Sequence, residues 1–151
     1  MSRRDLIKMT AEEADAFLAE EKTVTCATNG RNGFPHLMPL WFVLRDGRIW
    51  AWTYAKSQKV KNLERDARAT LQIETGLAYE ELRGVMLRCE VTIHRDVEVV
   101  TDFAMELVDR YGGGADAMRE VFRKQVPKRV GLEFVERDRV TWDHRKLAGT
   151  Y

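Results

Sequence analysis

The residues best suited to binding an anion lie between Thr53 and Lys59. Thr53 comes near the end of an aromatic, strand-like run, and Ser57 and Lys59 follow where helical spacing begins. The first turn of a helix offers unpaired backbone N–H groups and a positive dipole end, which together favour phosphate. The Ser57 hydroxyl could cap the helix or bond a phosphate oxygen, and Lys59 could supply the positive charge. The pattern therefore indicates a phosphate site at a strand-to-helix junction, with the Thr53 hydroxyl directed into the same space.

The charge of this junction is unusual for the chain. Residues 56–68 hold five basic and two acidic residues, although the net charge of the whole chain is only +1. Helices with basic residues facing water show the same spacing, and no glycine-rich loop accompanies this one. The spacing alone leaves both interpretations open.

Length and composition narrow the class of protein. A chain of 151 residues that is 44% hydrophobic suits one domain, here residues 1–151, with a core that needs no disulfide or metal. The 25 basic and 24 acidic residues offer no global attraction to nucleic acid or to acidic membranes, so an anion site must be local. The absence of a signal-like N-terminus or a long apolar run predicts a soluble, cytoplasmic protein without a membrane span. Cys26 and Cys89 lie in apolar strand-like runs, which favours buried free thiols.

The spacing of apolar residues divides the chain into short elements. Asp46-Gly47 predicts a tight hairpin turn, because such turns need positive φ angles. Antiparallel strands joined by short turns, with helices inserted late, predict a mainly β fold: a barrel of about six antiparallel strands with flanking helices. The predicted strands cover about 24–28, 36–44, 49–54, 69–74, 85–94 and 130–134, followed by a turn at Arg137-Asp138 and a short strand through Trp142; helices are predicted from Thr10, Ser57, Val97 and Asp116.

Several short motifs resemble a known superfamily. The chain resembles the pyridoxamine-phosphate-oxidase-like flavin split barrels, and in particular the short branch that uses the deazaflavin cofactor F420 in place of FMN. The resemblance covers about residues 10–147. The motifs that carry it are Pro39-Leu40-Trp41-Phe42, the Asp46-Gly47 hairpin, Ser57-Gln58-Lys59, Asn62-Leu63, Asp66-Ala67-Arg68-Ala69 and the tail Trp142–Leu147.

The resemblance implies a homodimer of split barrels with cofactor sites at the interface and a small-molecule substrate. Carried over by position, Ser57 and Lys59 resemble the phosphate binders of the superfamily, with Thr53 and Asn62 beside them. The ring system of the cofactor would lie along four consecutive residues, and it would bring its own redox chemistry, so no catalytic acid or base of the protein is expected. No match to the arginine-rich motifs of true pyridoxamine-phosphate oxidases is present, which argues against vitamin oxidation. The four ring-binding residues are Met38, Pro39, Leu40 and Trp41.

Four functions remain open at this point. The first is an F420-dependent reductase of a small conjugated substrate, and the second is an FMN-dependent oxidoreductase of the same fold. The third is a carrier or sensor that binds cofactor or haem without turnover, and the fourth is a purely structural dimer. Scattered histidines without a metal-binding motif predict no metal site, although His36 lies near the ring-binding strand. The aromatic residues of one hairpin could stack on a ring or pack in a core or dimer contact: Trp41, Trp50, Trp52 and Tyr54.

Overall fold

The chain folds into a closed barrel of six antiparallel strands. A computed structural model describes residues 1–149. Around the barrel the strands follow the order β1-β2-β3-β6-β5-β4, so the last strand lies between the third and the fifth. This confirms the predicted six-stranded antiparallel barrel with flanking helices. The strands are Thr23–Asn29 (β1), Pro35–Arg45 (β2), Arg48–Tyr54 (β3), Arg68–Thr75 (β4), Arg83–His94 (β5) and Arg129–Asp143 (β6).

Alternation of side chains fills the barrel. On β5, Val85 and Leu87 point inward and are at most 3% exposed, while Arg88 and Glu90 point outward. Successive side chains of a strand point to opposite faces, so the sequence pattern alone assigned these sides. The two thiols, Cys26 and Cys89, are free and lie in this interior.

Within the described residues, five α-helices surround the barrel. The second begins as expected, because the Thr10 side chain accepts from the N–H of Glu13 and the Glu13 carboxylate accepts from the N–H of Thr10. Within residues 1–149 no helix is long and apolar enough to cross a bilayer. The helices are Arg3–Leu6 (α1), Ala11–Glu20 (α2), Gln58–Arg65 (α3), Val97–Tyr111 (α4) and Asp116–Gln125 (α5).

Helices α4 and α5 build a second core on the outside of β3. Trp50 and Trp52 point away from the barrel and are 8% exposed. Phe122 packs edge-on against Trp52 with ring centroids 5.3 Å apart, and Phe103 lies 6.1 Å from Trp50. These two indoles are therefore core residues and do not line a cofactor cavity.

The end of the chain differs from the prediction. A turn at Arg137-Asp138 was expected, but β6 runs without interruption from Arg129 to Asp143. Asp138 pairs with Arg88 and Glu136 pairs with Cys89, so Arg137 is an extra residue in the strand. Such a bulge absorbs one residue and bends the strand without ending it, and its polar residues resembled a turn in the sequence.

The barrel is split along part of β2. Residues Pro35–Trp41 pair with β1, from Asn29↔Pro35 to Thr23↔Trp41, whereas pairing with β3 covers only Phe42–Arg45. The strand therefore changes neighbour between Trp41 and Phe42. Its first half has one edge without a strand partner among the described residues, and this edge faces the end of β3.

The β2–β3 hairpin closes the unsplit end. Asp46 and Gly47 have φ angles of 51° and 76°, as the tight Asp-Gly turn requires. The turn thus fixes the register in which Phe42 meets Ala51 and the split begins.

Candidate cofactor site

The junction between β3 and α3 brings two hydroxyl groups together. Ser57 is the N-cap of α3, and its hydroxyl accepts from the N–H of Val60 at 3.4 Å. The hydroxyl oxygens of Thr53 and Ser57 lie 3.5 Å apart, and Thr53 is only 4% exposed. The first N–H groups of a helix have no acceptor within the helix, so this end of α3 is suited to an anion. The predicted strand-to-helix junction is confirmed.

Lys59, the second residue of α3, is a buried cation. It is 6% exposed, and burial lowers the pKa of its ammonium, with the Arg129 guanidinium acting in the same direction and the Cys26 thiol opposing it. Within residues 1–149 no carboxylate pairs with Lys59 and no acceptor takes a hydrogen bond from it. Removing a charged ammonium from water without such a partner is unfavourable. Lys59 is therefore not the solvated surface residue that the sequence left open.

Arg129, the first residue of β6, is a second cation at the same place. Its guanidinium lies 3.8 Å from the ring centroid of Tyr54 and 4.8 Å from that of Trp52. It donates to the side-chain oxygen of Gln125 at 2.7 Å, while its Nε is buried without a hydrogen-bond partner. Burial lowers its pKa and the Tyr54 side chain opposes this shift, but no carboxylate pairs with Arg129 within the described part of the chain.

Sequence reasoning missed Arg129. The residue reaches the site because Tyr54 and Arg129 are opposite each other in the β3–β6 pairing. The only local signal was a basic residue at the start of the last strand, and such residues are common. Lys59 and Arg129 are partly desolvated cations, and Arg129 lowers the pKa of Lys59, so the two form a site of positive potential that a phosphate group would neutralise.

The predicted ring-binding residues lie on the singly paired part of β2. Met38 and Leu40 are opposite Cys26 and Val24 of β1, whose side chains are in the barrel interior, so this pair faces the opening. Met38 is nevertheless 44% exposed, because no neighbouring strand closes the barrel there. Pro39 and Trp41 alternate to the outer surface. The structure thus places only two of the four residues at the opening.

Asn62 links α3 to β1 through its side chain. It is fully buried, its amide donates to the Thr28 hydroxyl at 3.1 Å, and its side-chain oxygen accepts from Gln58 at 2.9 Å. These bonds attach α3 to β1 and so hold the junction in place. Contact between Asn62 and a cofactor stays a prediction.

A basic cleft adjoins α3. The cleft has a volume of about 920 Å³ and lies between the β1–β2 loop and the exposed side of α3. Arg31, Lys61 and Arg65 contribute three positive charges, and none of the residues lining the cleft is acidic. His36 also lines it, with a buried Nδ1 that has no hydrogen-bond partner. The cleft therefore extends the positive region from the junction along the helix.

The other two histidines are engaged elsewhere. His94 bonds to Glu133 at 2.9 Å and stacks on Trp50. His144 bonds to the carbonyl oxygen of Tyr79 at 2.9 Å.

Comparison with known proteins identifies the fold family. Residues 10–141 match the family model described as pyridoxamine 5'-phosphate oxidase. A conserved hypothetical protein from Mycobacterium tuberculosis is 37% identical, with 98% of this chain and 93% of that chain covered and a TM-score of 0.89. No curated protein matches.

Two more distant structures share the fold alone. A structure described as an F420 reductase is 19% identical, covering 86% of this chain and 98% of that one with a TM-score of 0.67. The haem-storage protein of Vibrio cholerae is 16% identical, covering 85% of this chain and 90% of that one with a TM-score of 0.67. The family model and the mycobacterial relative together establish that this chain belongs to the pyridoxamine 5'-phosphate oxidase-like split-barrel family.

Proposed function

We propose that this protein binds a flavin-type redox cofactor by its phosphate at the β3–α3 junction and transfers hydride to a small conjugated substrate. We further propose F420 as the preferred cofactor and FMN as the alternative. The observation that carries the proposal is the pair of desolvated cations, Lys59 and Arg129, which has no carboxylate partner within residues 1–149.

The residues at the junction fit a phosphate. Lys59 and Arg129 would neutralise its charge, and the hydroxyls of Ser57 and Thr53 would donate to its oxygens. Charge-assisted bonds of this kind are about twice as strong as neutral ones. A bound phosphate would also supply the acceptors that Arg129 Nε lacks.

The split of the barrel fits a planar ring. Met38 and Leu40 offer apolar contact on the β2 side of the opening. The free edge of residues 35–41 presents backbone N–H and C=O groups to the polar rim of a heterocycle. When bound, the cofactor supplies the hydride chemistry, while the protein orients the ring and excludes water.

The basic cleft supports F420 over FMN. F420 carries a long acidic tail beyond its phosphate, whereas FMN ends at the phosphate. Arg31, Lys61 and Arg65 surround a space of about 920 Å³ next to the junction, which is large enough for such a tail.

We also propose that the protein acts as a homodimer with the cofactor at the interface. Leu37 and Trp41 are 58% and 48% exposed on the outer surface of β2, and Pro39 lies between them on the same side. A second copy of the chain would cover this apolar stripe and place its own side chains beside the opening. Sedimentation of the purified protein tests this, since a monomer at micromolar concentration would contradict it.

The deciding experiment is a calorimetric titration of the cofactor-free protein with F420, with FMN and with haem. Tight binding of F420 and weak binding of FMN would support the reductase and justify turnover assays with reduced F420 and conjugated acceptors. Tight binding of FMN alone would make FMN the cofactor. Failure to bind either would contradict the proposed function.

Haem carriage is the second candidate, and one observation favours it. His36 is the histidine whose Nδ1 is buried without a partner among the described residues, and imidazole is a common axial ligand of haem iron. A Soret absorption band that appears with the wild-type protein and is lost in His36→Ala would support this function. A band that is the same in both proteins would remove His36 as the ligand.

A further inference from the structure

A side chain from α4 lies at the point where β2 stops pairing with β1 and begins pairing with β3. If the pairing of β1 with β2 continued beyond Thr23↔Trp41, the next pair of residues would be Lys22 and Phe42. The hydroxyl of Tyr111 occupies that position. It accepts from the N–H of Phe42 at 2.9 Å, and it lies 2.7 Å from the carbonyl oxygen of Phe42 and 2.6 Å from that of Lys22. The Tyr111 hydroxyl thus replaces the backbone donor and acceptor that a Lys22–Phe42 pair would have provided.

The ring of Tyr111 holds the residue on the other side of the switch. It stacks on the indole of Trp41 with ring centroids 4.4 Å apart and planes 7° from parallel. Trp41 is the last residue of the singly paired half of β2, and Phe42 is the first residue paired with β3. Tyr111 therefore contacts both residues between which the barrel begins to open.

The end of α4 is anchored independently of β2. Arg110 donates to the carbonyl oxygens of Leu18, Ala19 and Glu21 at the end of α2, at 3.3, 3.2 and 2.6 Å. These carbonyls have no acceptor role within the helix, so a cation there satisfies them and the helix dipole. The backbone of Tyr111 is thus fixed to a separate part of the fold, and its side chain can hold β2 against that support.

We propose that Tyr111 is a positioning residue for the cofactor: it fixes the direction in which residues 35–41 of β2 leave β3, and so sets the width of the opening. The proposal rests on the proposed function, because the opening is the place assigned to the cofactor ring. Tyr111 acts through Phe42 and Trp41 and has no contact with the cofactor itself.

A strand that stays paired with the same neighbour would need no side chain to fix its direction. Where two strands remain paired, the backbone bonds alone fix their separation. At the switch, each N–H or C=O without a strand partner must find another group, and the chosen group then controls the local geometry. Without the Tyr111 hydroxyl, water would take its place and the direction of the singly paired residues 35–41 would vary.

The test compares two variants that each lose one side-chain hydroxyl. Tyr111→Phe keeps the stacked ring and removes the bonds to Phe42 and Lys22. Thr141→Val is the matched control, because the Thr141 hydroxyl accepts from the N–H of Met9 at 3.0 Å near the end of β6 that is remote from Arg129. The affinities of the intact wild-type protein and both variants for FMN and F420 are measured by calorimetry, and the absorption spectrum of the bound cofactor is recorded.

We expect Tyr111→Phe to bind the cofactor about five- to tenfold more weakly, the loss of one or two hydrogen bonds, and to shift the absorption band of the bound ring. Thr141→Val should lower the melting temperature to a similar extent and leave affinity and spectrum unchanged. A folded Tyr111→Phe with wild-type affinity and spectrum would overturn the proposal. Failure of Tyr111→Phe to fold would overturn it as well, since the hydroxyl would then be a requirement of the whole fold. If the wild-type protein binds neither cofactor, it is the proposed function that fails.

Discussion

The cations on two surfaces of the barrel differ in whether they have a carboxylate partner. On the outer surface of β4, β5 and β6 three arginines pair with carboxylates, whereas at the β3–α3 junction Lys59 and Arg129 have no carboxylate partner within residues 1–149. The paired arginines are largely exposed, while Lys59 is buried and Arg129 is partly buried. The pairs on the outer surface are Arg68–Asp66 at 2.8 Å, Arg88–Asp138 at 2.6 Å and Arg137–Glu90.

The difference separates residues that serve the fold from residues that we propose bind a ligand. Exposed ion pairs contribute little to stability and are screened by salt, so the outer surface gains mainly solubility and register. A buried cation without a counter-ion lowers the stability of the fold and is retained where a bound anion compensates for it. Each prediction below changes a residue at the junction, in the adjoining basic cleft or on the ion-paired surface.

The largest effect is expected at Lys59. Lys59→Met keeps most of the aliphatic stem and removes the charge, so affinity for FMN or F420 should fall about ten- to a hundredfold, as expected for losing a hydrogen bond to a charged group. The cofactor-free variant should also be more stable than the wild type, because the desolvated ammonium is gone. Calorimetric titration and chemical denaturation measure the two effects. Lys56→Met, at an exposed position of the same junction, is the control and should show neither.

The stability difference should depend on pH in a defined direction. The pKa of Lys59 lies below its ordinary value of 10.5, so the unfolded state binds more protons between the two pKa values and stability rises with pH there. The unfavourable contribution of Lys59 is therefore complete below its pKa in the folded state and disappears as the pH rises towards the ordinary value of 10.5. Equal stabilities of wild type and Lys59→Met at pH 7 would contradict the unpaired state of this cation.

The second effect is expected at Arg129. Arg129→Met retains contact with Trp52 and Tyr54 and should weaken cofactor binding about tenfold. Since both cations are assigned to one phosphate, the double variant with Lys59→Met should lose less affinity than the two single losses combined. Strictly additive losses would mean that the cations contact separate groups. Arg123→Met, on the exposed side of α5, is the control.

A smaller and selective effect is expected in the basic cleft. Lys61→Glu reverses one of its three charges, which should weaken binding of F420 several-fold and leave FMN binding nearly unchanged. The difference should shrink at high salt, because exposed charges are screened. Titrations at low and high salt measure it, with Lys124→Glu on α5 as a matched reversal elsewhere. Equal losses for both cofactors would remove the cleft from tail binding.

The smallest effect is expected on the paired surface. Arg88→Gln breaks the bridge to Asp138, in which Arg88 holds the pKa of the Asp138 carboxyl below its usual range. Both groups are exposed, so affinity for the cofactor should stay at the wild-type value and the melting temperature should change little. A clear loss of affinity would show that this surface also takes part in binding.

The strands of the barrel were predictable because their signal is local. Val85, Leu87 and Cys89 alternate with polar residues, and the Asp46-Gly47 turn follows from its two residue types alone. The sequence left open whether Trp50 and Trp52 pack in a core, since their burial depends on α4 and α5, which follow much later in the chain. Neighbouring residues gave no sign that an outward-facing indole would be covered.

The candidate site, like the fold, was predictable only where its signal is local in the sequence. Ser57 and Lys59 could be found because a capping residue and a lysine adjoin a strand end. Arg129 could not, since only the antiparallel register of β3 with β6 brings it to Tyr54. The bulge at Arg137 depends on the same kind of long-range pairing, which is why a continuous strand was interpreted as a turn.

The position of β6 between β3 and β5 has a consequence for how the chain is made. The ion pair between Arg48 and Glu133 joins residues 85 positions apart, and pairing over such separations slows folding. During synthesis, β3 and β5 both present open edges until the last strand leaves the ribosome, and open edges promote aggregation. Because Arg129 is the first residue of that strand, the proposed anion site and the barrel are completed in the same late step. A nascent chain stopped before Arg129 should therefore neither close nor bind cofactor.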